Sequence, residues 1–225
     1  MIRIHIICEG QTEESFVNYL LREPFANQSI ALLPSLIGKP GHKGGNLKFE
    51  RLLSDVRNRL ATDQEAYCTT FFDYYGLPAT FPGKRVSETL SSVREKANLL
   101  CDTLAEKIKA ELGENIAKRF IPYVQMYEFE GLLFSDSEAF ARSLDSVHLK
   151  ENFLQIRNTF ATPEEINDSP QTAPSKRIKS LIASYEKPLM GTLGALEIGL
   201  LKIRKECKLF DAWLSNLESI PPKEI

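Results

Sequence analysis

Cysteine is scarce in this sequence, and the cysteines are not clustered. The four cysteines among the 225 residues lie far apart, and no two of them form the Cys-x-x-Cys spacing of a zinc site. This pattern argues against a zinc–cysteine centre and against the disulfide framework of a small secreted domain. The three histidines are equally scattered, which argues against a histidine-based zinc centre. We therefore expect reduced thiols and a cytoplasmic location.

The sequence also lacks a strong charge of one sign and a long apolar run. It has 28 basic and 30 acidic residues, a formal net charge of -2 and a pI of about 6.0, so no overall positive field attracts nucleic acid. No apolar run approaches the ~20 residues of a membrane span. The N-terminal apolar run is too short for a signal peptide, so we expect no membrane association.

Several catalytic and nucleotide-binding motifs are missing as well. No Gly-x-Ser-x-Gly elbow is present, and no Gly-x-Gly-x-x-Gly fingerprint follows the first apolar run. The sequence therefore favours neither an α/β-hydrolase nor a dinucleotide-binding enzyme.

What the sequence does have is a series of apolar, β-branched runs that alternate with helical patterns. This alternation predicts a parallel α/β sheet flanked by helices over residues 1–135, followed by an all-helical C-terminal lobe over residues 136–225 that packs on it. Ser87 is expected to open the longest helix, and Gly113 to end it. The strands are predicted near residues 2–7, 30–36, 66–72 and 120–126.

Acidic residues follow three of the predicted strands. Glu9, Asp73 and Glu128 each stand at or just beyond the carboxyl end of a strand, so a parallel sheet brings them to one edge. Glu13 and Glu130 lie close by in sequence and are further candidate ligands. Carboxylate oxygens from several elements are what a hard divalent cation prefers, so this edge is a candidate metal site.

Each of these acids also has a structural interpretation. Thr12 is expected to cap the first helix, and an acid such as Glu13 in the first helical turn interacts well with the helix dipole without any ligand. An aspartate at a strand end, as Asp73 is, can simply start a turn. If the segment after the fourth strand is helical, Glu128 and Glu130 point in different directions, and we expect Glu128 to be the inner one. Two capping boxes are predicted further on, Ser135 with Glu138 and Thr162 with Glu165.

A basic, glycine-rich loop spans residues 38–46. It is not a Walker A sequence, because no Gly-Lys-Ser/Thr closes it. Glycines allow backbone amides to approach a phosphate, and Lys39, His42 and Lys43 add positive charge, so these residues are candidate nucleic-acid contacts. A solvated surface loop is the alternative.

The motifs together resemble the Toprim fold, the metal-binding catalytic domain of topoisomerases, primases and the overcoming-lysogenisation-defect nucleases. That family has a glutamate after its first strand and an Asp-x-Asp after its third, which Glu9 and Asp73 match in part. The sequence resembles most closely a small bacterial Toprim-like family of unknown function, often encoded beside an ATPase. The shared residues are Glu9-Gly10-x-Thr12-Glu13, Phe72 to Gly76, Glu128 to Asp136 and a C-terminal Cys207-x-x-Phe210-x-x-Trp213.

The resemblance implies a nuclease that hydrolyses DNA or RNA with Mg²⁺ or Mn²⁺, in a defence system with an ATPase partner. Glu9, Glu13 and Asp73 would then be catalytic, and the metal shell would include Glu128 and Glu130. Tyr75 stands where Toprim proteins have their second aspartate, and a phenol is a poor magnesium ligand at neutral pH. Two alternatives therefore stay open: a non-catalytic adaptor that binds an ATPase, and a nucleotide-binding regulator that uses the glycine-rich loop.

Overall fold

A parallel β-sheet with helices on both faces forms the centre of the molecule. The computed structural model describes residues 1–38, 47–167, 169 and 171–221. Within them the sheet has five strands, and a helical region follows it, so the predicted α/β class is confirmed. The strands are β1 (Ile2–Cys8), β2 (Ile30–Leu36), β3 (Tyr67–Asp73), β4 (Phe120–Ile121) and β5 (Val124–Gln125).

The strand order explains where a site can form. The sheet runs β2-β1-β3-β4, and β5 pairs with β3 beyond β4. The chain moves from β1 to one side for β2 and then to the other side for β3, so the order reverses between β1 and β3. In open α/β sheets the crevice at the carboxyl ends of such a pair is the usual ligand site. Cys8 of β1 stands opposite Phe71 of β3 there.

The predicted fourth strand is split in two. Pro122 lies between β4 and β5, and it has no backbone N–H for the sheet. A side chain replaces the backbone pairing at this point. The Thr70 hydroxyl donates a hydrogen bond to the Tyr123 carbonyl at 2.7 Å and accepts one from the Tyr123 N–H at 2.9 Å. One continuous strand over residues 120–126 was therefore the wrong expectation.

Helices cover both faces of the sheet and make up the C-terminal region. The first, α1 (Gln11–Phe16), passes through a π-helical turn (Val17–Leu21) into α2 (Arg22–Ala26). Short 3₁₀ segments occur at Tyr74–Gly76, Phe129–Ser135, Val147–Leu149 and Pro163–Glu165. The α-helices are α1 (Gln11–Phe16), α2 (Arg22–Ala26), α3 (Phe49–Thr62), α4 (Lys84–Ser87), α5 (Val93–Leu112), α6 (Glu114–Ala117), α7 (Ser137–Ser143), α8 (Lys150–Asn158), α9 (Pro174–Leu181), α10 (Lys187–Ile198), α11 (Leu200–Glu206) and α12 (Lys208–Glu218).

The longest helix, α5, begins later than the sequence suggested. Ser92 caps it by accepting a hydrogen bond from the Glu95 N–H, and Gly113 ends it with a φ of 83°. Ser87 instead closes the short helix α4, because its hydroxyl donates to the Lys84 carbonyl at 2.7 Å. The start predicted at Ser87 was wrong, whereas the end was correct.

Three predicted helix caps differ from the structure, two in position and one in its hydrogen bonding. Gly10, not Thr12, precedes α1, and the Glu13 side chain accepts a hydrogen bond from the Gly10 N–H at 2.8 Å. Asp136, not Ser135, caps α7. Thr162 precedes a 3₁₀ turn without a side-chain cap bond, so its predicted capping box does not form. At α1 and α7 a neighbour of the predicted residue has the extended backbone that a cap requires, whereas Thr162 has that backbone itself but makes no side-chain cap bond.

Two hydrophobic clusters fill the two faces of the sheet. One face packs against α3 and α5 through residues such as Phe72 and Leu104. The other packs against α1 and the C-terminal helices, where Phe16 lies 5.8 Å from Phe210, centroid to centroid. The C-terminal helices thus share a core with the sheet.

Trp213 of α12 makes a polar contact with the sheet inside that core. Its indole N–H donates to the Thr69 hydroxyl of β3 at 2.9 Å, and its ring stacks on Tyr123 at a centroid distance of 4.3 Å. We expect Trp213→Phe to lower the free energy of unfolding by about 1–2 kcal/mol, because the hydrogen bond and part of the stack are lost. Urea denaturation checks this. If the bond matters, Trp213→Phe combined with Thr69→Val costs less than the sum of the two single changes.

No helix in the described part of the chain has the length and apolar character needed to cross a membrane.

Candidate functional site

Glu9 and Asp73 meet at the carboxyl edge of the sheet. Glu9 follows β1 directly and Asp73 is the last residue of β3, which is the neighbouring strand. The Glu9 carboxylate (Oε2) accepts a hydrogen bond from the Asp73 N–H at 3.0 Å. Asp73 itself is almost fully buried, and its Oδ1 accepts from the Phe129 N–H at 2.7 Å. The structure therefore brings these two acids together at the point where the strand order reverses.

Glycine at position 76 makes room for Glu9. A Cβ atom added at Gly76 would lie 2.1 Å from Oε1 of Glu9 and 2.3 Å from its Oε2. The Glu9 carboxylate can therefore lie against this backbone only because the residue has no side chain. The Phe72 to Gly76 segment thus supplies both an acid and the space for its partner.

Glu13 is buried beside this pair. It lies in the first turn of α1, and its carboxylate accepts from the Gly10 N–H as part of the helix cap. Glu13 is only 4% exposed, which is unusual for an acid. The negative charges of Asp73 and Glu9 lie close enough to raise its pKa further. One carboxylate oxygen of Glu13 therefore has a structural role in the helix cap. The negative charge of Glu13 contributes to the electrostatics of the site.

Glu128 and Glu130 reach the same edge from the segment after β5. Glu128 is partly exposed, has an extended backbone and accepts from the Ser175 N–H at 2.8 Å. Glu130, inside the 3₁₀ segment Phe129–Ser135, has 0% exposure. The inner residue of the two is therefore Glu130, not Glu128, because Glu128 precedes the helical segment instead of lying in it. We call Glu9, Glu13, Asp73, Glu128 and Glu130 the acidic edge.

A lysine from the C-terminal region lies among these acids. Lys187, the first residue of α10, places Nζ 3.2 Å from Oδ2 of Asp73 and 2.8 Å from Oε2 of Glu130. Lys187 is thus a cationic partner of the fully buried Glu130 carboxylate. Sequence reasoning missed Lys187, which is a single lysine 114 residues away from Asp73.

The acidic edge holds more negative charge than its surroundings stabilise. Burial, and then the charge of Asp73, raise the pKa of Glu9 to about 7 and that of Glu13 to about 8. Burial raises the pKa of Glu130 to about 7 against the opposing effect of Lys187, and it also raises the pKa of Asp73. Burial lowers the pKa of Lys187, but Asp73 and Glu130 outweigh it, so the net shift is upward. The carboxyl groups therefore compete for protons or another cation near neutral pH.

The chemistry of the donor set fits Mg²⁺ or Mn²⁺, which prefer carboxylate oxygens. The side chains are nevertheless not arranged as a finished metal site. In the described ranges, no three or more His, Cys, Asp or Glu side chains are grouped to hold a metal ion. One reason is visible: Lys187 lies between Asp73 and Glu130, and backbone N–H groups hold oxygens of Glu9, Glu13 and Glu128.

Two further sequence predictions concern Tyr75 and the glycine-rich loop. The pKa of Tyr75 is raised to about 12, chiefly by burial, so its phenol stays protonated at neutral pH and is a poor metal ligand. Lys39, His42 and Lys43, the predicted nucleic-acid contacts, lie outside the described residues.

The fold and the site together define a class: an α/β protein with a parallel sheet and a cluster of acids, several of them buried, where the strand order reverses. The chain belongs to a family described as a domain of unknown function (DUF4276), which matches residues 8–218. This match includes the whole acidic edge and Lys187. No curated protein and no solved structure matches the chain.

Proposed function

We propose that this protein is a divalent-metal-dependent nuclease, which hydrolyses phosphodiester bonds of DNA or RNA at the acidic edge. The observation that carries the proposal is the contact of Glu9 with Asp73 at the reversal point of the strand order. The resemblance of the same residues to the Toprim pattern supports it, as does the location of Glu13, Glu128 and Glu130 at that edge.

The position of each carboxylate in the acidic edge indicates the role that it would have in metal binding. Glu9 and Asp73, which contact each other, would hold Mg²⁺ or Mn²⁺ together with Glu13, Glu128 or Glu130. The ion, when bound, polarises a phosphate and activates water. Lys187 offsets one of five negative charges, which leaves a net charge of -4 when every group is ionised. Lys187 therefore competes with the cation for Asp73 and Glu130.

Cleavage assays test the proposal directly. Purified protein is incubated with end-labelled single- and double-stranded DNA and RNA in Mn²⁺, in Mg²⁺ and in EDTA. We expect metal-dependent cleavage of at least one substrate, with none in EDTA. Intact substrates under every condition, with and without an ATPase encoded beside the gene, would overturn the proposal.

A non-catalytic adaptor that binds an ATPase is the second candidate. The arrangement around Lys187 favours it, because an internal cation already neutralises part of the edge. The outer face of α10 favours it too, since Leu189, Leu193 and Leu196 are 62%, 46% and 42% exposed. Calorimetry separates the two: the nuclease takes up Mn²⁺, whereas the adaptor does not. Both candidates fit a cytoplasmic protein with four free cysteines.

Gly76→Ala provides a positional test of the site. The new methyl group would push the Glu9 carboxylate away from its place, because the two would otherwise lie 2.1 Å apart. We expect Mn²⁺ affinity and cleavage to fall by about tenfold or more, while the unfolding free energy falls by only about 1 kcal/mol. Thr80→Ala, an exposed change in the same loop, is the control. Unchanged Mn²⁺ affinity in Gly76→Ala contradicts the role of Glu9.

A further inference from the structure

A pocket of about 450 Å³ lies beside the acidic edge and is not used by the metal chemistry. Tyr74 follows Asp73 directly and Tyr127 precedes Glu128 directly, so two chain segments connect the pocket lining to the acidic edge. Its size lies within the usual range of ligand sites, about 300–1,000 Å³. We call it the tyrosine pocket, and its lining includes Tyr74, Tyr75, Lys84, Lys96, Tyr127 and Asn167.

Three tyrosine rings surround the pocket, and they differ in what already covers them. Tyr75 lies 5.9 Å from Tyr74 and 5.6 Å from Tyr127, centroid to centroid. The Lys84 ammonium lies 3.3 Å from the centroid of Tyr74, so a cation occupies that ring face. Tyr75 is partly exposed, and its hydroxyl donates to the side-chain oxygen of Asn167, which fixes the ring. The Lys84 Nζ also lies 6.0 Å from the centroid of Tyr75, but Tyr75 is partly exposed, whereas Tyr74 and Tyr127 are only 3% and 6% exposed. Tyr75 is therefore the ring that can take a stacked ligand.

The backbone at Tyr127 is strained. Its φ is 60°, in the left-handed region that residues with a bulky side chain rarely adopt. The Tyr127 carbonyl accepts a hydrogen bond from the Tyr75 N–H at 3.1 Å, which ties the two segments together at this point. Backbone strain of this kind is concentrated at ligand and active sites. The fold therefore keeps Tyr127 at the pocket in a backbone conformation that costs conformational energy.

Lys96 adds an available positive charge to the rim. Its Nζ lies 5.7 Å from the centroid of Tyr127, and no carboxylate in the described residues pairs with it. Lys84, by contrast, is buried and paired with Glu88 at 3.3 Å. Lys96 is thus the amine that an incoming anion meets. An aromatic face beside a free amine is the combination that single-stranded nucleic acids use in their binding grooves.

We propose that the tyrosine pocket holds an unpaired base of a nucleic-acid strand, stacked on Tyr75, while Lys96 contacts a phosphate of the same strand. The identity of this ligand rests on the proposed nuclease function, and the inference adds that the substrate is single-stranded where it enters the site. A base inside a duplex exposes no free face to Tyr75. The strand then continues past Tyr74 and Tyr127 towards Asp73 and Glu128.

Fluorescence anisotropy in EDTA tests this without any metal. The probe is a short fluorescein-labelled oligothymidylate, compared with thymidine monophosphate as competitor and with a fully paired duplex of the same length. We expect the single strand to bind more tightly than either. Tyr75→Leu should weaken binding about tenfold, because the stacking face is lost, whereas Tyr75→Phe should retain it. Lys96→Met should weaken binding and reduce its dependence on salt.

Matched controls are available on the surface of the same chain. Tyr19→Leu removes a tyrosine that is 69% exposed and does not line the pocket, and Lys118→Met removes an exposed lysine. Both should leave binding unchanged. Thermal melting checks that Tyr75→Leu is folded. If it is not, the comparison of Lys96→Met with Lys118→Met tests the inference. Equal affinity of Tyr75→Leu and Tyr75→Phe, or of Lys96→Met and Lys118→Met, overturns the inference.

The inference and the nuclease function fail separately. Tight binding of the single strand in EDTA, lost in Tyr75→Leu, supports the pocket even if no substrate is cleaved in Mn²⁺. Cleavage in Mn²⁺ that is insensitive to both Tyr75→Leu and Lys96→Met supports the nuclease but removes the pocket from its substrate path. If thymidine monophosphate binds as tightly as the oligonucleotide, the proposal that the pocket holds a nucleic-acid strand is overturned.

Discussion

Glu9→Gln is expected to abolish Mn²⁺ uptake and to lower metal-dependent cleavage by on the order of a hundredfold or more. Glutamine has the size of glutamate, and its amide oxygen can still accept from the Asp73 N–H that Glu9 contacts at 3.0 Å. What the change removes is one negative charge at the strand-order reversal. Calorimetric titration with Mn²⁺ and an end-labelled cleavage assay measure the two effects.

Loss of folding cannot account for this result, because the substitution relieves repulsion. Burial, and then the negative charge of Asp73, disfavour the ionised form of Glu9 and raise its pKa to about 7. We therefore expect Glu9→Gln to unfold at the same temperature as the wild type, or higher, above about pH 8. The matched control is Glu14→Gln, which changes a nearby acid in the first turn of α1 that does not belong to the acidic edge. Wild-type Mn²⁺ binding by Glu9→Gln would remove the basis of the nuclease proposal.

The pH dependence of metal binding has a definite sign. Glu9 and Glu13 have pKa values of about 7 and about 8, so one or both carry a proton at neutral pH. A metal must displace those protons, so its apparent affinity should rise from about pH 6 to about pH 8. Titrations in two buffers of different ionisation enthalpy report the protons released. A flat affinity over this range would mean that these carboxyl groups do not bind the ion.

The sheet was predictable because its signals are local. The limits of β2 agree with the prediction, and the ends of β1 and β3 agree to within one residue, because runs rich in apolar residues end before Glu9 and Asp73. Parallel pairing then places both acids on one edge, so this part of the site could be found from sequence alone. The spacing of apolar residues also gave the body of the long helix α5 and its end at Gly113.

What the sequence did not reveal depends on contacts between distant segments. Lys187 reaches Asp73 only because α10 packs against α1 and the 3₁₀ segment that carries Glu130. No local pattern distinguishes it from a solvated lysine. Ser87 has the composition of a helix cap, but its hydroxyl is engaged by the Lys84 carbonyl. Tertiary structure decided these positions.

Lys187→Met is expected to destabilise the protein strongly, and mainly at high pH. The Lys187 ammonium lies 3.2 Å from Asp73 and 2.8 Å from Glu130, and Glu128 also raises its pKa. Methionine keeps most of the aliphatic length but leaves Glu130, which has 0% exposure, without its partner. Removing one member of a buried ion pair costs about 3–5 kcal/mol. Lys187 is partly exposed, so we expect roughly 2–3 kcal/mol at about pH 8.5.

The sign of the pH effect follows from the carboxyl groups. Glu130 and Glu9 have pKa values of about 7, above the ordinary 4.5, so the folded protein binds protons more tightly than the unfolded chain. Stability from these groups is present at low pH and is lost as the pH rises through 7. Without Lys187 these pKa values rise further, so protonation relieves the defect at about pH 5.5, where the cost should fall below about 1 kcal/mol.

Urea denaturation in EDTA at both pH values measures the two costs, and repeating it with excess Mn²⁺ separates charge from packing. If Lys187 competes with a metal for Asp73 and Glu130, Mn²⁺ should stabilise Lys187→Met more than it stabilises the wild type. Lys187→Arg, which keeps the charge, should lose little stability at either pH. An equal loss for Lys187→Met at about pH 5.5 and about pH 8.5 would show that the side chain acts through packing, and not as the internal counter-ion of the acidic edge.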